Sequence, residues 1–129
     1  MKWALMNYFF IAERVGVLPA LPFHQQLLSH WPQATVEEVR NATDIHALEF
    51  RIPMRHSRVD GSLNREGDSV VFIGDFRDCA EFALWCRGLI PPGEPVTFCD
   101  EGMSGSIELE PSTTLTDIFN VFRYEPPPG

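Results

Sequence analysis

A chain of 129 residues is of single-domain size and can bury roughly two-thirds of its unfolded surface. Its 44% hydrophobic content, with ten Phe and three Trp, supplies a core and excludes global disorder. The net charge of −8 is lopsided, six acids against seven Lys/Arg in residues 1–65 and twelve against three in residues 66–129; a field of that sign disfavours nucleic acid and serves either solubility or a basic partner.

The opening MKWALMNYFF places Lys2 before an apolar run of only about ten residues, broken by Asn7 and without a small-residue cleavage site, which argues against a secretory signal. No stretch reaches the roughly 18 apolar residues of a membrane span. The chain is therefore expected to be cytoplasmic and off the membrane. Met6 is a possible alternative start, and Met6–Ala12, rich in β-formers, reads as a central strand. Pro22 suits the first position of a helix running to His30 or Trp31, with Phe23, Leu27, Leu28 and Trp31 on its apolar side and Pro32 as its stop. Residues 34–40, ATVEEVR, are assigned to a strand rather than a capped helix because the turn-rich Asn41–Asp44 follows so soon. His46, Leu48, Phe50 and Ile52 alternate with Ala47, Glu49 and Arg51, the period of a half-buried strand. Residues 55–65 read as a further strand that turns at Glu66-Gly67-Asp68.

The most legible stretch is Asp68–Pro111. Val70, Val71, Phe72 and Ile73 form an unbroken apolar run, read as a strand buried on both faces. Asp75 stands where a helix N-cap belongs, and Asp78 sets a second carboxylate in the first turn. The helix should end at Gly88 in a left-handed conformation, before Pro91-Pro92. Val96–Asp100 and Ile107–Glu110 form a hairpin closed by Glu101–Gly105, and Thr114 with Asp117 starts a short last helix. The Pro-rich tail, residues 125–129, is expected to be disordered. The order β-α-β-β-β-β-α-β-β-α, with short hairpin connections, predicts a single α+β domain over residues 1–124, a mostly antiparallel sheet covered by about three helices.

Motifs of catalysis are thin. Gly102-Met103-Ser104-Gly105-Ser106 resembles a nucleophile elbow in four of five places, but the turn joins two strands where an elbow needs a strand and a helix. The four His and three Cys have no metal-ligand spacing, so neither a metal nor another cofactor is expected. Cys79 and Cys86, seven residues apart on one helix, lie roughly 10 Å apart along its axis, too far for a disulfide. All three thiols read as reduced and buried; Cys79 has the electrostatics of a helix N-terminus in its favour, but its place on the apolar side of the helix points to packing.

The charge pattern supports three functional readings. The first is a small acidic binding protein of the inhibitor or immunity type, neutralising a basic partner such as a toxin enzyme. Its contact residues would be Asp100, Glu101, Glu108 and Glu110, with Met103 as an adaptable apolar contact at the hairpin tip. The second is a small enzyme or ligand-binding domain that holds an anionic substrate through Arg51, Arg55, His56 and Arg58. The third is an accessory protein acting through self-association, and a monomer or small homo-oligomer is compatible with all three.

Overall fold

The computed structural model describes residues 6–125. Seven strands and three helices follow one another in the expected order: β1 (Met6–Ala12), α1 (Ala20–His30), β2 (Thr35–Glu38), β3 (His46–Pro53), β4 (Arg58–Asn64), β5 (Ser69–Gly74), α2 (Phe76–Gly88), β6 (Val96–Asp100), β7 (Ser106–Glu108) and α3 (Leu115–Val121). The strands make one antiparallel sheet in the order β2-β3-β4-β5-β1-β6-β7. The first strand is thus enclosed by β5 and β6, as its apolar composition requires. Of the expected tail only Glu125 falls among the described residues, as residues 1–5 of the N-terminal segment do not.

All three helices lie on the same side of the sheet. Phe23 of α1 packs against Phe50 of β3, Phe82 of α2 against Phe50 and Phe72 of β5, and Phe122, the C-cap of α3, against Phe98 of β6. In the cross-strand register Phe50 stands opposite Gly61, Gly61 opposite Phe72, and Phe72 opposite Tyr8, so these residues form one continuous row. Gly61 allows that row to close: a β-carbon there would lie 2.5 Å from the Phe50 ring and 2.6 Å from the Val71 carbonyl. Aromatic packing joins α1 to α2 as well, through Trp31, Trp85 and Phe82.

Three local expectations change. β5 is buried on one side only, because Val70, Phe72 and Gly74 face the helices while Val71 is half-buried and Ile73 exposed. An unbroken apolar run does not distinguish a doubly covered strand from one whose outer side is apolar and open. α1 begins at Ala20 with Pro19 as its N-cap, so Pro22 falls inside the first turn, where its missing N–H has no helical carbonyl to meet. α2 does end at Gly88, but its C-cap, Leu89, stays in the right-handed region and Gly88 has no positive φ. The turn closes instead through short bonds from Leu89 N to Cys86 O and Ile90 N to Arg87 O.

Candidate functional site

The acids at the β6–β7 hairpin do not behave as one exposed group. Asp100 is 3% exposed. Its carboxylate accepts bonds from Ser104 N at 2.8 Å, Gly105 N at 3.4 Å and the Ser104 hydroxyl, so it organises the turn from inside. The expectation of a solvent-facing carboxylate at Asp100 is therefore corrected: a hairpin tip with orphan N–H groups recruits the nearest acceptor. Ser104, whose hydroxyl donates to Asp100, belongs to this turn, and the strand-to-strand context excludes the elbow geometry. Gly105 is pressed under Phe122, where a β-carbon would come within 2.3 Å of the ring. Met103 remains at the tip, 65% exposed, with a φ of 56°.

Glu101 and Glu108 lie on the side of the sheet opposite the helices. Alternation places Glu101 with Cys99, and the Asn7 side-chain amide donates to its carboxylate. Glu108 pairs with Thr97 on the same side. Glu110 follows the end of β7 and borders a cleft of about 220 Å³ with Arg87, Glu94 and Glu108. Arg87 is buried, and its guanidinium donates to the carbonyls of Leu109 (2.8 Å), Ile90 (3.0 Å) and Pro92 (2.9 Å), tying the end of α2 to the strand's exit. Glu94 is held by Arg14 at 2.7 Å.

Arg51, Arg55, His56 and Arg58 stay together at the turn end of the β3–β4 hairpin, while Arg65 follows the far end of β4. Arg65 reaches four carbonyls, those of Val39, Asn41, Asp44 and His46, and so pins the β2–β3 connection. Arg58 makes a bidentate pair with Asp60, both bonds 2.8 Å. Arg51 stands opposite Asp60, and Glu49 and Asp60 share its hollow on the open side of the sheet. Arg55 and His56 are exposed in the β3–β4 turn. An anion entering beside Arg51 would meet two carboxylates, an arrangement that disfavours it.

Sequence reading missed the role of Asp78. It is buried and turns back from α2 to accept bonds from His56 N at 3.0 Å and Ser57 Oγ at 2.8 Å, while Ser57 Oγ accepts from Asp75 N at 2.9 Å. This relay fastens the β3–β4 turn to the start of the helix. Asp75 caps as expected, accepting from Arg77 N at 2.9 Å, and the Arg77 guanidinium holds its carboxyl below the usual range. Cys79 packs in the core, as its apolar side implied, and burial, then the charges of Asp78 and Asp75, push its thiol up, outweighing the helix N-terminus. Burial also raises Cys86 and Cys99, with Asp100 adding to the effect on Cys99. The hydroxyl of Tyr8 is buried without a hydrogen-bond partner among the described residues, and burial drives its pKa upward. No group of three His, Cys, Asp or Glu among the described residues is placed to hold a metal ion.

The broadest uncommitted surface is the uncovered side of the sheet itself. Phe9 and Ile11 of β1 and Val71 and Ile73 of β5 form its centre, Phe9 directly opposite Val71; Ile11 is 41% and Ile73 36% exposed. Glu37 and Glu49 lie on one flank, with Arg51 beside Glu49, and Glu101 and Glu108 on the other. Glu37 and Glu49 are direct cross-strand partners, and like charges in that position repel. The sequence signal for this surface was present in Asn7–Ala12, where both alternating sets contain large apolar residues. No helix among the described residues is long and apolar enough to cross a membrane. No protein-family model, curated protein or solved structure matches this chain.

Proposed function

We propose that this chain is a binding domain that captures a basic protein on the open side of its sheet, as an inhibitor or immunity protein does when it neutralises a cationic enzyme in the cytoplasm. The observation that carries the reading is the bare apolar centre bordered on both flanks by carboxylates. Apolar contact supplies affinity, while the flanking acids steer a cationic surface and reject an acidic one. The same acids oppose pairing with a second copy through this surface. Closely apposed interfacial charges couple by roughly 1.5–7 kcal/mol, enough to decide whether a complex forms.

The test is charge reversal at Glu37, Glu49, Glu101 and Glu108 together, each to Lys, compared with the parent chain in affinity capture from its native cell. A basic protein held by the parent at low salt, released as salt rises and absent from the reversed variant is expected. Retention of the same partners by the reversed variant, at every salt concentration, would refute the proposal.

A further inference from the structure

We infer that the element received by the open sheet surface is a cationic amphipathic helix, lying along β5 and β1 and completing a helix–sheet–helix sandwich; this rests on the basic-partner reading above. The surface itself specifies the shape. Two adjoining hollows, of about 330 and 510 Å³, flank that line on its β4 side; they share Ser62 and Val71 as their floor, reach β1 at Asn7 and Phe9, and have Arg51 on the wall of one and Arg65, already bonded to four carbonyls, on the wall of the other. The small side chain of Ser62 sinks the floor between Glu49 on β3 and Val71 on β5, and Phe9 borders the hollow nearer Ile45, which is 73% exposed.

The dimensions suit a helix. Four strand spacings separate β3 from β6, roughly 19 Å, so the acids of the two flanks stand far enough apart to admit a helix 10–12 Å across. Lys or Arg on both borders of its apolar stripe would reach Glu49 on one side and Glu101 on the other, their stems covering the apolar edge, while Glu37 on β2 and Glu108 on β7, six spacings or roughly 29 Å apart, extend the acidic field beyond direct reach. The opposite side of the same two strands already shows the arrangement, since the 13-residue α2 packs on β5 and β1 there. A β-strand adding to an edge would use less of this surface. The edges, β2 and β7, are four and three residues long and lie outside the apolar centre.

The experiment titrates the ¹⁵N-labelled full chain with two synthetic peptides of about 13 residues, a length of ~20 Å as a helix. Both contain the same Leu and Lys; one has Leu at helical spacing, the other alternates Leu and Lys as a strand would. The expected result is saturable binding of the helical peptide with amide shifts centred on Phe9, Ile11, Val71 and Ile73, at least tenfold tighter than the alternating peptide. Ile73→Asp should weaken it at least tenfold, and Ile11→Asp should do so independently if the first variant folds poorly. Tighter binding of the alternating peptide, with shifts along β2 or β7, would overturn the helix while leaving a basic partner intact. Equal binding of a Glu-for-Lys helical peptide would overturn both.

Discussion

At the scale of single residues, the acids of the second half divide into those the fold consumes and those it leaves to solvent. Asp100 is consumed: its carboxylate satisfies the backbone N–H groups of Ser104 and Gly105 in the turn. Glu108 is exposed and lines an open cleft. Asp100→Ala is therefore expected to cost about 1–3 kcal/mol, lowering Tm by roughly 4–12 °C for a chain of this size. Glu108→Lys should change stability by no more than about 0.5 kcal/mol. Paired thermal and urea denaturation of the two variants checks the contrast, and equal effects would mean that Asp100 is not the turn's organiser. In the sequence these two acids look alike, both acidic and both next to a hairpin, because burial depends on what the turn needs rather than on residue type.

At the scale of elements, the contact between the β3–β4 turn and the start of α2 joins parts of the chain about twenty residues apart. Ser57 Oγ accepts from Asp75 N and donates to Asp78, so the hydroxyl transmits the helix's position to the turn. Because Asp78 is buried, Asp78→Ala strands the His56 N–H and the Ser57 hydroxyl, at an expected cost of about 1–3 kcal/mol. A double-mutant cycle with Ser57→Ala should return a coupling energy of about 0.5–3 kcal/mol, as for groups in one network. Additive effects would show that the two side chains act independently. Asp78 was legible as a helix-start carboxylate; its partner was not, because the pairing depends on where the sheet places the turn.

At the scale of the molecule, the three helices among the described residues lie on one side of a seven-stranded sheet and leave its other side without cover from those residues. The acids gathered there include a like-charge cross-strand pair, which stability alone would not select. Glu37→Lys should convert that repulsion into an attraction with Glu49 and raise stability by about 0.2–1 kcal/mol at low ionic strength, a gain that shrinks as salt is added. Denaturant midpoints at low and high salt provide the measurement, and an unchanged or lowered midpoint would remove the repulsion from the account. If the pair exists for binding, the same substitution that stabilises the free protein weakens its hold on a cationic partner, the usual opposition between stability and function.

Element order and strand identity followed from the sequence because their signals are local: period-two alternation, a capping aspartate, proline and glycine at the breaks. The placement of β1 inside the sheet was legible for the same reason, since its apolar composition demands neighbours on both edges. Which side of the central strands would be covered was decided only in three dimensions. Phe9, Ile11, Val71 and Ile73 are as apolar as the residues beneath the helices, and their exposure follows from where the connections carry α1, α2 and α3. Apolar side chains record a tendency to be covered, whereas the path of the chain determines whether this protein supplies the cover itself.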